Sequence, residues 1–227
     1  FREPLPPGSF AYNPPPFAPE SPDVTGARRF SQAISEGDGI SLITPAADAD
    51  AAAAAERSGA EGVVLHLNIP DVRDATGLPI LWRVDASPGE ALTAGADALL
   101  LAAGALEDDA EHVERRWEEA HESGLECVVE VRDAEELELA LERLDPEIFL
   151  LAPREGGDAD DPLESVLDLL PDIPAGKLAI ADVEVASRDE VLALERAGID
   201  AVLVGSGHVG ELVGARPHAA RQAGEVG

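Results

Sequence analysis

From Gly39 onward, short aliphatic runs alternate with longer stretches of mixed polarity. The runs are Ile40–Thr44, Gly62–His66, Pro79–Arg83, Asp97–Leu101, Glu126–Val131, Glu147–Leu151, Lys177–Ala181 and Asp200–Val204. They are mostly continuous rather than alternating, which is the pattern of parallel strands buried on both faces. The stretches between them carry helix signals. In the segment 108–123, Val113, Trp117 and Ala120 fall at helical spacing against an acidic background, Glu107–Glu122, that reads as a solvated face. Asp133 with Glu136, and Ser187 with Glu190, have the spacing of a capping box. Four phrases precede strands, Ser58-Gly59-Ala60-Glu61, Ala94-Gly95-Ala96-Asp97, Ser123-Gly124-Leu125-Glu126 and Ala197-Gly198-Ile199-Asp200. Each puts glycine just past a helix, where left-handed backbone is required.

Strand–helix units in regular alternation imply a closed barrel or a doubly wound sheet, and eight of them favour an α/β fold of the (βα)8 TIM barrel kind. No Gly-x-Gly-x-x-Gly phrase opens a helix after the first strand, which argues against a dinucleotide-binding sheet. The barrel is expected over residues 27–216, with a short last helix after His208 and a flexible tail over 217–227. Residues 1–26 differ in kind: eight of the 18 prolines lie between Pro4 and Pro22, interspersed with Phe1, Phe10, Tyr12 and Phe17. Proline favours extended backbone and excludes regular helix, so this segment is expected to be an arm. Either it lies on the barrel with its aromatics as anchors, or it docks a protein partner.

A length of 227 residues suits one such barrel. The 46 acidic residues outnumber the 16 basic ones, for a net charge of −30, and Lys177 is the only lysine. A surface of that sign repels nucleic acid and anionic membrane, and neither is expected as a partner. Adaptation to high salt and GC-rich coding both account for the charge. Cys127 stands alone, so no internal disulfide forms; it reads as a small buried strand residue and fits a reducing, cytoplasmic setting. No apolar run approaches the ~20 residues of a membrane span, and no secretory signal opens the chain. His112 and His121 are nine residues apart on one predicted helix, a spacing unsuited to joint metal ligation, and no metal site is expected. Neither a nucleophile elbow nor a Walker loop occurs.

Several phrases between about Phe30 and Val213 resemble the indole-3-glycerol phosphate synthase family. Leu78-Pro79-Ile80-Leu81 followed by a basic residue is similar to its third strand, and Ala94–Leu101 to its fourth. Val128-Val129-Glu130-Val131-Arg132-Asp133-Ala134-Glu135-Glu136-Leu137 resembles its fifth strand and the helix after it, and is the most specific stretch. Ala197–Gly205 is similar to its eighth strand. The resemblance implies a barrel that closes an indole ring on an anthranilate-derived ribulose phosphate, with loss of carbon dioxide and water. That chemistry uses a lysine as general acid, carboxylates that move protons and a phosphate cradle after strands seven and eight. No metal or organic cofactor is implied.

The family's positions are only partly kept. Glu130 retains the strand-five carboxylate, on the opposite face from Val129 and Val131; it reads as a site residue or as a buried acid paired with an arginine. The catalytic lysine of strand three falls at Arg83, whose guanidinium, with a pKa above ~12, holds anions but donates protons poorly. Arg83 is expected to bind a substrate carboxylate or phosphate, or to pair with Asp85 or Glu130. At strand one the family's Glu-x-Lys phrase and its Ser-Pro-Ser loop are missing, and the chain runs into Pro45-Ala46-Ala47. Strand six keeps only Arg154 of Asn-Asn-Arg, and strand seven reads Asp182-Val183-Glu184 where the family has Glu-Ser-Gly. A carboxylate at Glu184 opposes phosphate. Gly205, Ser206, Gly207 and His208 end strand eight and present backbone N–H groups suited to an anion; His208 is an acid–base candidate or a surface histidine.

The expected catalytic positions are thus Glu130, Arg83 and Asp182, and the expected substrate-binding positions Arg154, Gly205, Ser206, Gly207 and His208. Three functions are open. The favoured one is a diverged barrel whose lyase activity is lost or altered, binding a small anionic or phosphorylated ligand or serving as a partner protein. The second is a working synthase, a carboxy-lyase of tryptophan biosynthesis. The third is a different enzyme reusing the barrel mouth. The location of Lys177, before the seventh strand and away from the expected mouth, favours the first.

Overall fold

A computed structural model describes residues 29–36, 39–154 and 161–212. Eight parallel strands close a barrel in chain order: β1 (Ser41–Pro45), β2 (Gly62–Leu65), β3 (Ile80–Trp82), β4 (Ala98–Ala102), β5 (Glu126–Val131), β6 (Ile148–Leu151), β7 (Leu178–Ala181) and β8 (Ala201–Leu203). β8 pairs back onto β1, with Leu42 opposite Val202. All eight predicted runs form strands, each within one residue at either end. The chain is therefore an α/β protein of the (βα)8 TIM barrel class. The arm expected over residues 1–26 and the tail over 217–227 lie outside the described residues.

Helices α1 (Arg29–Ser35), α2 (Ala49–Ser58), α3 (Val72–Ala75), α4 (Pro88–Thr93), α5 (Ala105–Glu122), α6 (Ala134–Arg143), α7 (Pro162–Leu169), α8 (Arg188–Ala197) and α9 (Val209–Leu212) alternate with the strands. Their ends have local causes. Ser87 and Glu90 form a complete capping box at α4. The two boxes expected from spacing differ from that pattern. Asp133 caps α6 and Ser187 caps α8, but the Glu136 and Glu190 carboxylates accept N–H bonds from Arg132 and Ala186, one residue before each cap. Gly59 and Gly198 end α2 and α8 at φ 91° and 104°, a region that costs any residue with a Cβ. In α5, Asp109 is non-helical and its carboxylate accepts from His112 N, so the helix starts afresh there. Val113 and Ala120 are its buried face, while its Glu residues remain on the polar side.

Two apolar layers follow from strand alternation. Ile43, Val64, Leu81, Val128, Leu150 and Ile180 form the barrel interior. Their strand neighbours, among them Leu42, Val63, Trp82, Val129 and Phe149, pack outward against Ala52, Ala91, Val113, Leu137, Val166 and Leu194 of the helices. Cys127 belongs to this outer layer and is buried, as expected. No described helix is long and apolar enough to cross a membrane.

The interior needs a floor, because a barrel of eight strands is open at both ends to the width of a side chain. α1 supplies it. Phe30 and Ile34 are 0% and 2% exposed and belong to the interior cluster. The Glu126 carboxylate, at the start of β5, accepts N–H bonds from Phe30 at 2.6 Å and Ser31 at 3.1 Å, satisfying donors that a helix start leaves open. Arg29 pairs with Asp97 at 3.3 Å, at the entry to β4. Removing the Phe30 ring leaves a cavity at this end, and Phe30→Ala is expected to lower stability by about 3–5 kcal/mol. A urea denaturation midpoint indistinguishable from that of the unaltered chain would show that α1 does not seal the barrel.

Candidate functional site

The C-terminal ends of the strands form the mouth, and strand register decides which side chains reach it. Val64 pairs with Leu81 and Leu65 with Trp82, and Arg83 N donates to Leu65 O at 2.9 Å. His66 and Arg83 therefore continue β2 and β3 side by side, in phase with the interior residues Val64 and Leu81. Glu130 is in phase with Val128, and Asp182 with Ile180. Ala102 and Ala152, at the ends of β4 and β6, keep the same layer small.

The three expected catalytic residues meet. Arg83 Nη2 donates to Glu130 Oε2 at 2.9 Å, and Arg83 Nη1 to Asp182 Oδ2 at 2.5 Å. The other Glu130 oxygen accepts from Arg132 Nε at 2.8 Å and from Arg132 Nη2. Glu130 is thus the buried acid clamped by arginines that its sequence position allowed. Asp85, the other partner considered for Arg83, instead pairs with Arg116 at 3.1 Å, because residue 85 lies past the strand on the α4–α5 side. A carboxylate withdrawn from water costs several kcal/mol unless its lone pairs are met, and here two guanidinium groups meet them. Exposure grades outward: the Glu130 side chain is 4% exposed, Arg83 24% and Asp182 28%.

A second charged group lies on the rim beside β5 and β6. Arg154 pairs with Asp133 and stands 3.9 Å from Glu136. Glu136 is buried, and burial raises its pKa above the usual carboxylate range, opposed by the hydrogen bond from Arg132 N. A Cβ on Gly104 would lie 2.9 Å from Glu136 Oε1, so a larger residue there would require the carboxylate to shift. Arg154 is therefore engaged within the chain and joins neither Arg83 nor Glu130 directly.

The strand-eight turn follows β8 at the same end of the barrel. Gly205, Ser206, Gly207 and His208 are exposed, and His208 N donates to Gly205 O at 3.0 Å. The His208 ring folds back over the turn, its Nδ1 3.5 Å from where a Cβ of Gly205 would stand. Glu184 is exposed nearby in sequence, after buried Val183. Lys177 lies at the other end of the barrel, before β7, with Nζ on Asp145 Oδ1 at 2.5 Å.

A cavity of about 290 Å³ also lies at that other end, lined by Trp117, His121, Cys127, Asp145 and the starts of β5 and β6. Burial pushes the Cys127 thiol up to about 12, so it is no nucleophile at neutral pH. Among the described residues, no group of three His, Cys, Asp or Glu side chains is arranged to hold a metal ion.

Besides Arg132, the mouth residue not singled out from sequence is His66. The signal for it is that it ends the second run, in phase with Val64 and beside Arg83. His66 is exposed at the rim, yet partial desolvation and the Arg83 charge lower its pKa below the usual histidine value, and Asp182 opposes them. The lowered pKa favours the neutral imidazole over the imidazolium form. Because Arg83 contributes to the depression, Arg83→Gln is expected to move the His66 titration upward toward the ordinary value. Ring-proton NMR across pH 4–8, a window bracketing the ordinary histidine value of about 6.5, would detect this; an unmoved titration would place Arg83 and His66 apart.

The model of the family described as indole-3-glycerol phosphate synthase matches residues 86–211, more than half of the 227. An indole-3-glycerol phosphate synthase of Geobacillus sp. (strain WCH70) is 33% identical over 141 residues, covering 60% of this chain and 54% of that protein. Those of Variovorax paradoxus (strain S110) and Geobacillus thermodenitrificans (strain NG80-2) are 35% and 31% identical, covering 60% and 72% of this chain and 52% and 69% of theirs. The chain spans about half the length of the first two of these curated relatives. Among solved structures, the fold is shared with a mutant tryptophan synthase α-subunit (D110A) from Pyrococcus furiosus, at TM-score 0.56 and 17% identity, covering 75% of this chain and 88% of that one. It is also shared with the N-acetylmannosamine-6-phosphate 2-epimerase from Clostridium perfringens, at TM-score 0.56 and 17% identity, covering 73% and 86%. The barrel, the strand-five carboxylate and the family match together place this chain in the indole-3-glycerol phosphate synthase family.

Proposed function

We propose that this barrel does not carry out the family's ring closure and that its mouth binds a small ligand. The observation that carries this reading is the placement of the cations. The only lysine is tied to Asp145 at the end of the barrel opposite the mouth. The strand-three position where the resemblance implies a lysine holds Arg83, which is committed to Glu130 and Asp182. Guanidinium does not release a proton at ordinary pH, and loss of a positioned general acid costs about 10²–10⁴ in rate. Two further features support the reading. Arg154, at the remnant of the family's strand-six phrase, is held by Asp133 and Glu136. Glu184 brings negative charge to the region where a phosphate cradle is implied. A protein partner docked through the proline-rich arm is a compatible second role, and the arm lies outside the described residues.

Retention of Glu130 and Asp182 at the mouth is the observation that favours the alternative, a working synthase. Indole fluorescence with the anthranilate-derived ribulose phosphate separates the two, at low and at multimolar salt, on protein shown by circular dichroism to be folded. No turnover in either salt is expected. Turnover abolished by Glu130→Gln would establish a lyase working without a mouth lysine and would overturn the proposal.

A further inference from the structure

We propose that the mouth takes a zwitterionic ligand, an α-amino acid with an apolar side chain, its carboxylate on Arg83 and its ammonium group on Asp182. This rests on the reading that the mouth is a binding site and not the family's ring-closing site. It departs from the anionic or phosphorylated ligand expected from sequence, and the charge balance is the reason. Within the described residues, Arg83 pairs with Glu130 and Asp182, and Arg132 with Glu130. A dianionic phosphate would displace a carboxylate from Arg83 and leave it without a partner, at a cost that grows away from water. A zwitterion keeps the balance, exchanging one ion pair for two.

The geometry divides the network into a fixed half and an exchangeable half. Glu130 is 4% exposed and held by Arg132 on its second oxygen, so the Arg83 Nη2 contact is anchored from below. The Arg83 Nη1–Asp182 pair is the outer one, with side chains 24% and 28% exposed, and it is open to exchange from solvent. A carboxylate suits the released face of the guanidinium, whose donors lie in one plane. Ala102 and Ala152 put only methyl groups into this layer, and Leu67, which follows His66 beyond the end of β2, is 64% exposed and offers an apolar contact at this end.

Calorimetric titration of the full chain at low salt tests this with four probes: L-leucine, 4-methylpentanoate (leucine without the amine), 3-methylbutylamine (leucine without the carboxylate) and inorganic phosphate. L-leucine is expected to bind, with each half-molecule and phosphate weaker by roughly tenfold or more. Asp182→Asn and Arg83→Gln are each expected to weaken L-leucine by a similar factor. The His66 ring signals of the unaltered protein should shift on adding L-leucine, a readout independent of whether either variant folds. Phosphate or 4-methylpentanoate binding as tightly as L-leucine would overturn the ligand class, as would no binding of L-leucine or no movement of His66. Turnover of the family's phosphorylated substrate would instead overturn the proposed function, and the two failures are therefore separable.

Discussion

Burial of one carboxylate organises the mouth of this barrel. Glu130 sits within β5 with its side chain almost out of water, and an acid there is tolerable only if both oxygens are met by cations or strong donors. Arg83 from β3 and Arg132 from the end of β5 meet them, and Arg83 in turn reaches Asp182 after β7. Three strands are thereby tied across the top of the barrel by charge. The same ties determine what the mouth offers a ligand: its arginines arrive already partnered, and an incoming anion must compete with carboxylates a few ångström away.

The two ends of the barrel solve opposite problems with related means. At the floor, Glu126 receives the open N–H groups of α1, and Phe30 and Ile34 fill the interior, so that end is sealed by apolar contact. At the mouth the interior layer ends in His66, Arg83, Glu130 and Asp182, so that end carries charged and polar groups. Lys177 belongs to the floor side, bonded to Asp145. The single lysine of the sequence is thus at the end opposite the mouth.

The fold was legible in the sequence because its determinants are local and repeated: aliphatic runs such as Val128–Val131, capping residues such as Ser187, and glycines such as Gly59 and Gly198 just past helices. The inward phase of Glu130 was legible for the same reason. What was not legible depended on pairing across long sequence distances. Arg83 meets Glu130 and Asp182, 47 and 99 residues away, and spacing alone leaves Asp85 equally available. Arg154 reads in sequence as an anion contact, whereas Asp133 and Glu136, legible there only as cap residues, hold it. His66 escapes a sequence reading because the second run is uniformly apolar up to its last residue, and its place beside Arg83 follows only from the β2–β3 register.

A mouth organised around the buried Glu130 requires Arg83 and Glu130 to be energetically coupled and not merely adjacent. A double-mutant cycle measures that coupling directly, comparing urea unfolding of Arg83→Gln, Glu130→Gln and the double variant with the unaltered chain. A shared ion pair with one partner buried predicts a coupling of about 1–3 kcal/mol in the stabilising direction. Additive effects, with a coupling below about 0.3 kcal/mol, would mean that the mouth arginine is free for substrate, and would contradict a mouth organised around the buried Glu130.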